Sequence, residues 1–319
     1  MLIVIGFGGN ALLRRGENPD PATLAARVSA AAAFVARVAE RARVVVTHGN
    51  GPQVGRWAEL APTMTLDVLD AVTEGEIGYA LSQALTNELR RSLPDAVVGT
   101  VLTQVVVDPA DPAFHSPTKP IGPSYERDDA VTLAASQGWT IAADGTRWRR
   151  VVASPQPQEI VELAVIRALV ERDIPVICAG GGGIPVTKDR NGLLRGTAAV
   201  IDKDLTTELL ATELGADTLM LLTDIDAVHT NWNTPLDRAV HKASVSYLRS
   251  LRLASGSMGT KVDAACRFVE HTGHIAGIGR LEHADDVLVG RAGTLVSPGD
   301  VETRWWPPPN RTGPAAQTP

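Results

Sequence analysis

Three lysines stand where the backbone is stiff. Lys119 lies in Pro117-Thr118-Lys119-Pro120-Ile121-Gly122-Pro123, Lys203 lies between Asp202 and Asp204, and Lys261 follows Gly256-Ser257-Met258-Gly259-Thr260. A single lysine is ordinarily a solvated surface group. Three lysines fixed by proline, glycine or a helix start are suited to meet at one anion, a phosphate or a carboxylate-like group. Asp202 and Asp204 have two readings: they cap the helix that follows, or they hold the lysines in place. Asp224 and Asp226, just beyond an apolar run, read as an ordinary turn, or as contacts to a ribose or a metal. His48 invites a general-base role, yet no nucleophile pattern accompanies it: the chain has no G-x-S-x-G elbow, no Cys–His arrangement and no metal-ligand spacing. A histidine in such a turn more often donates to a carbonyl.

These residues need elements to position them. Leu2 to Ile5 is an apolar run of buried-strand length, and it breaks into Gly6-Phe7-Gly8-Gly9-Asn10-Ala11. Glycines let a backbone turn tightly and approach a ligand, and successive N–H groups in such a turn form an anion-binding hollow. Two further glycine turns follow short strands, at residues 49–51 and at residues 180–183. The first turn fits the G-x-G-x-x-A dinucleotide pattern. That pattern requires an acidic residue at the end of the second strand, where Thr47-His48-Gly49 stands instead, so a nicotinamide enzyme is disfavoured. Between the strands, Asp20-Pro21 reads as a helix start and residues 21–41 as an alanine-rich helix. The alternation predicts βαβ units and a parallel sheet with ligands at the carboxyl ends of its strands.

Farther along, Thr73-Glu74-Gly75-Glu76 matches a capping box, residues 100–107 read as one strand, and residues 108–125 are too rich in proline for a regular element. Residues 159–171 read as a helix, Asn191-Gly192 as a hairpin turn, and residues 205–214 as a helix. Residues 218–222 and 294–296 read as strands, with a helix from near Gly259 to His271. Beyond Pro298 the sequence reads as a partly ordered tail, and Asn310-Arg311-Thr312 matches a glycosylation pattern without consequence in a cytosolic chain.

Composition bounds the possibilities. The 319 residues suffice for one large α/β domain or two smaller ones, with 44% hydrophobic and 21% charged residues. Thirty basic against 36 acidic residues argue against a nucleic-acid partner. Two distant cysteines, Cys178 and Cys266, fit a reduced cytosolic setting. No apolar run of about 18 residues suggests a membrane span, and the N-terminus has no signal-peptide pattern.

Taken in order, the motifs resemble those of carbamate kinases, within the amino-acid kinase fold family. The resemblance runs through Gly8-Gly9-Asn10-Ala11-Leu12, Thr47-His48-Gly49-Asn50-Gly51-Pro52-Gln53-Val54-Gly55 and Ile77-Gly78-Tyr79. It continues through Asp111-Pro112-Ala113-Phe114, the Lys119 loop and Trp148-Arg149-Arg150-Val151-Val152. It closes with the 180–185 turn, Ala199-Val200-Ile201-Asp202-Lys203-Asp204, Leu222-Thr223-Asp224 with Asp226, and Gly256-Ser257-Met258-Gly259 with Lys261-Val262. It implies a three-layer α/β/α sandwich around a mainly parallel sheet. Residues 1–298 would form the kinase domain: a carbamate and phosphoryl lobe over 1–195, with a small protruding subdomain near 115–155, and a nucleotide lobe over 196–298, followed by a tail over 299–319.

The implied reaction is reversible phosphoryl transfer between carbamoyl phosphate with ADP and carbamate with ATP, in arginine metabolism. Mg²⁺ would be held mainly by the nucleotide phosphates rather than by the protein. The resemblance also implies a cytoplasmic homodimer with no nucleic-acid or membrane partner. Gly8, Gly9, Asn10, Gly49, Asn50, Gly181 and Gly182 would bind the transferred phosphoryl and the carbamate. Lys119, Lys203, Lys261 and Asp204 would be catalytic, and Asp202, Thr223, Asp224, Asp226, Met258 and Lys261 would face the nucleotide. Carbamate is already an anion, so its attack needs positioning and charge neutralisation rather than a strong base. Three departures are visible: Thr73-Glu74 where the family usually has Ser-Gln, Thr260 where it usually has proline before lysine, and Ala153 for a usual proline. Gly6 stands where many relatives of the fold carry a lysine. A kinase of the same fold acting on another small acid, and a non-catalytic nucleotide or carbamoyl phosphate sensor, are the alternatives.

Overall fold

The computed structural model describes residues 1–12, 21–251, 253 and 257–307; the expectations for Asp20, Gly256 and the 310–312 tripeptide lie outside them. The chain begins β1 (Leu2–Phe7), α1 (Gly9–Leu12), α2 (Pro21–Ala39), β2 (Arg43–His48), α3 (Gly51–Leu60) and α4 (Leu66–Leu89). It continues β3 (Gly99–Val101), β4 (Gln104–Val107), β5 (Lys119–Tyr125), α5 (Arg127–Gln137), β6 (Thr140–Asp144), β7 (Arg147–Val152), β8 (Pro157–Ile160) and α6 (Leu163–Val170). Next come β9 (Val176–Cys178), β10 (Ile184–Lys188), β11 (Leu194–Gly196), α7 (Lys203–Leu214), β12 (Thr218–Thr223), β13 (Val228–Thr230) and β14 (Arg238–Ser244). It ends α8 (Val245–Ser250), α9 (Ser257–Thr272), β15 (Ile275–Arg280), α10 (Ala284–Leu288), β16 (Thr294–Ser297) and β17 (Arg304–Trp305).

The main sheet has ten strands in the order β13-β14-β16-β15-β12-β1-β2-β9-β3, with β17 added beside β14. All six residues of β1 are buried, as expected of a parallel strand covered on both faces. Alternate residues serve opposite layers. Ile3, Ile5 and Phe7 pack with Val28, Phe34 and Val35 of α2 and with Ile77, Leu81 and Leu85 of α4. Leu2 and Val4 pack with Leu205 and Leu210 of α7 and with Phe268 and Val269 of α9. The result is the expected three-layer α/β/α sandwich. Because β1 pairs in parallel with β2 on one side and β12 on the other, the chain reverses its direction of winding there. Such a switch point opens a crevice at the strands' carboxyl ends.

Several local expectations give way to tertiary structure. The capping box at Thr73 is not a helix start: α4 begins after Thr65 and runs unbroken through Thr73, carried by a buried stripe of Leu66, Leu69, Ile77, Leu81 and Leu85. Residues 100–107 are not one strand. β3 joins the main sheet and β4 joins a second sheet of order β11-β10-β4-β8, because the Thr103 N–H between them goes to Glu74 Oε2 at 3.2 Å. Residues 157–160 pair with β4 instead of opening a helix. The proline-rich Lys119–Tyr125 segment is regular after all. It is the edge strand of a three-stranded sheet, β5-β7-β6, where a missing donor costs nothing. The tail past Pro298 folds back: Trp306 Nε1 donates to Gly293 O at 2.7 Å, and Arg238 stacks on the Trp305 ring at 4.0 Å.

Contrary to the sequence expectation, Ala22–Ala39 is long and apolar enough to cross a membrane by length and composition. Here it is a core helix with Val28, Ala31, Ala32, Phe34, Val35 and Val38 buried.

Candidate active site

The three glycine turns meet at the ends of β1, β2 and β9. Gly8 N–H donates to Leu222 O at 2.7 Å and Gly49 N–H to Phe7 O at 2.9 Å, so both are spent on holding the strand ends together. Asn50 occupies the N-cap position of α3 but makes no capping bond. Its Nδ2 donates instead to Asp70 Oδ1 at 3.0 Å and Thr73 Oγ1 at 2.8 Å, both on α4. The first turn of a ten-residue helix thus lacks a side-chain cap, and it starts at the carboxyl end of β2, a geometry that favours an anion.

The 180–183 turn divides the site. It can do so because its residues carry no side chains. A Cβ on Gly180 would lie 2.4 Å from His48 Nε2 and 2.9 Å from Glu74 Cγ, one on Gly181 would lie 2.2 Å from Asn50 Nδ2, and one on Gly182 would lie 2.6 Å from Ile201 O. Gly181 has φ +72° and Gly182 φ +105°, open to glycine and strained for other residues. Gly182 N–H donates to Ala179 O, and its carbonyl accepts from Thr206 Oγ1 at 2.8 Å.

Beyond the turn lies the cationic cluster. Asp202 is the N-cap of α7: its Oδ1 accepts from Asp204 N at 2.9 Å, and its Oδ2 receives Lys119 Nζ at 2.5 Å from the three-stranded sheet. Asp204 Oδ2 accepts from Lys261 Nζ at 3.0 Å. Lys203 Nζ sits 2.5 Å from Asp204 Oδ1, a charge contact without hydrogen-bond alignment. Lys203, Asp204 and Lys261 are all buried. Burial alone would raise the Asp204 pKa, but the two ammonium groups more than offset it and hold the carboxyl well below the usual range. Burial pulls Lys203 down, with Asp204 opposing. Both readings of the aspartates hold together: Asp202 caps a helix and engages Lys119.

On the near side, the histidine expectation fails in one respect. Neither His48 ring nitrogen has a hydrogen-bond partner among the described residues. Burial lowers its pKa to about 4, against a smaller opposing pull from the Gly49 backbone, so the ring is neutral at pH 7 and a poor base. Glu74 is engaged by backbone. Its Oε1 accepts from Gly180 N at 2.9 Å and its Oε2 from Thr103 N, tying α4 to two strand ends. Burial raises its pKa to about 8, although those N–H bonds pull the other way. Burial likewise lifts Asp70 well above the carboxylate range, with Asn50 opposing.

The remaining expected residues are more scattered. Thr223 Oγ1 donates to Asp224 Oδ1 at 3.0 Å at the end of β12. Asp226 turns outward and meets His229 Nε2 at 3.1 Å, and Met258 packs against the core. Asp70 escaped the sequence reading, and Thr73 entered it only as a capping residue and a departure from the family. Their signal was available: polar residues falling on the buried stripe of α4, where apolar ones belong.

Comparison with known proteins accords with this geometry. Residues 1–278 match the family model described as the amino acid kinase family. The carbamate kinase of Rhizobium meliloti is 43% identical over 99% of both chains. That of Haemophilus influenzae is 46% identical over 93% of this chain and 97% of its own. The structure of carbamate kinase from Giardia lamblia bound to AMP-PNP superposes with a TM-score of 0.82 at 40% identity, covering 93% of this chain and 98% of that one. The chain belongs to the amino acid kinase family, among its carbamate kinases.

Proposed function

We propose that the protein catalyses reversible phosphoryl transfer between carbamoyl phosphate with ADP and carbamate with ATP. The observation that carries this reading is the buried Lys203–Asp204–Lys261 cluster beside an uncapped helix N-terminus at the sheet's switch point. Fixed ammonium groups in a water-poor site stabilise charge on a transferring phosphoryl group without reorganising. Lys203 and Lys261 would contact the phosphates, and Asp204 would keep two like charges together. Lys119 would leave Asp202 for the transferred group. Because the Gly8 and Gly49 N–H groups are engaged, backbone contacts to that group would fall to Gly9, Asn10 and Asn50, with Gly181 and Gly182 walling the pocket. Thr223, Asp224 and Met258 would line the nucleotide side, with Asp202 and Asp226 at its edge.

Mg²⁺ would supply further charge neutralisation between the phosphates. Asp202 and Asp204 already face lysines, which supports an ion held mainly by the nucleotide. Exposed Leu60 of α3, Met64 of the following loop, and Val68 and Tyr79 of α4 support a homodimer. Two free, buried cysteines support a cytoplasmic setting. The lobes we propose are those read from the sequence, 1–195 with the subdomain near 115–155 and 196–298. With both Glu74 oxygens engaged by backbone N–H groups, the departure at residue 74 gives no ground for a different acceptor. A coupled assay for ATP formed from carbamoyl phosphate and Mg-ADP tests the reading. Steady turnover is expected; tight nucleotide binding without turnover would sink it.

A further inference from the structure

Asn50 is held in one orientation by its neighbours. The Thr73 hydroxyl lies 2.9 Å from Leu69 O and 3.1 Å from Asp70 O, both of which can only accept, so Thr73 Oγ1 is left to accept from Asn50. Asp70 Oδ1 is a second acceptor. Two acceptors on one side of a carboxamide determine which end is nitrogen. Both hydrogens of Nδ2 are thereby used. The other end, Oδ1, accepts no hydrogen bond from the described residues and, unlike Asp70 Oδ2, is not a buried orphan. The carboxamide lies flat on Gly181 at the mouth of α3. An N-cap asparagine ordinarily turns its oxygen onto its own helix; here that use is forgone.

The site thus offers donors for an anion and one fixed acceptor beside them. Carbamate and carbamoyl phosphate carry an oxyanion end and an amino group. Acetate and acetyl phosphate have the same shape with a methyl in place of the amino group and cannot donate. We propose that Asn50 Oδ1, oriented by Asp70 and Thr73, accepts a hydrogen bond from the substrate's amino group and so selects the carbamoyl compound over its acyl isostere. Asp70 and Thr73 are positioning residues, acting through Asn50. The inference rests on the carbamate kinase reading. A site built to bond a substrate N–H discriminates strongly against an analogue that lacks it.

The test compares kcat/KM for carbamoyl phosphate and for acetyl phosphate, each with Mg-ADP, in the full chain. The wild type prefers carbamoyl phosphate by at least about a hundredfold. Thr73→Val, which keeps the shape and removes the acceptor, cuts that preference by about tenfold through the carbamoyl arm, leaving acetyl phosphate within about threefold. Asp70→Ala does the same, and Thr73→Ser restores the wild-type ratio. Equal losses on both substrates would assign Asp70 and Thr73 a merely structural role and overturn the inference. So would wild-type turnover of both compounds without preference, a result that needs no variant and leaves the kinase reading standing. Turnover of neither compound removes the kinase reading, and the inference with it.

Discussion

The 180–183 turn separates two buried polar clusters built on different principles. On the α7 side, Lys203, Asp204 and Lys261 are charged and compensate one another across contacts of 2.5 and 3.0 Å. On the α4 side, Asn50, Asp70, Thr73 and Glu74 are buried with no ion-pair partner among the described residues, and their order comes from the direction of hydrogen bonds, while His48 lies buried beside them without one. The first arrangement suits a ligand whose charge changes place. The second suits recognition by shape and donor pattern. The separation is geometric rather than electrical, since charge in a low-dielectric interior acts at longer range than hydrogen-bond geometry: Lys203 helps to lower the His48 pKa across the turn.

The sharpest way to break this contrast is Asp204→Ala. It leaves two ammonium groups buried without a counter-charge and should cost about 3–5 kcal/mol of stability, with activity lowered more than about a thousandfold; chemical denaturation and the coupled assay report both. Lys119→Ala acts on the partly exposed pair with Asp202. Stability should change by less than about 1 kcal/mol, while kcat falls about a hundredfold or more and nucleotide affinity by calorimetry stays near wild type.

The near side should respond to pH where the far side does not. His48 titrates at about 4 when folded against an ordinary 6.5. The unfolded chain therefore binds its proton first, and the histidine's contribution, fully present above pH 6.5, is lost as pH falls toward 4. The His48 share of that change is on the order of 3 kcal/mol, read as the difference in denaturation free energy between wild type and His48→Leu across the window, because Glu74 and Asp70, raised by burial, contribute with the opposite sign there. Glu74→Gln is the smallest expected effect. It sets an amide NH₂ against a backbone N–H that now meets a carboxyl oxygen, costing about 1–3 kcal/mol. A gain in activity on carbamoyl phosphate would contradict the role given to Glu74.

The fold was legible because β1, β2, β9 and β12 announce themselves as apolar runs ending in turn residues, and β-strands buried on both faces leave little choice of layer. The cationic cluster was legible for a similar reason: Lys203, Asp204 and Lys261 sit at helix starts, where local sequence fixes position. The α4 side was not. Thr73-Glu74-Gly75-Glu76 carries a capping signal stronger than its context, and only long-range burial of Leu69 and Ile77 shows that the helix passes through it. Glu74 bonds Gly180, 106 residues away, and no local pattern encodes that distance. The strand in Lys119–Tyr125 was hidden because proline forbids a central strand and says nothing against an edge.

One contact seats the strand that carries Lys119. Gly55 of α3 meets Gly122 of β5 backbone to backbone; a Cβ at Gly55 would lie 1.9 Å from Gly122 Cα. The small sheet rests on the core through two absent side chains, three residues from the lysine. A single methyl group there would act as a spacer, lifting the arm while leaving the cationic cluster untouched. The seam is therefore a natural place to install a graded mechanical stop, turning enzyme output down by length rather than by chemistry.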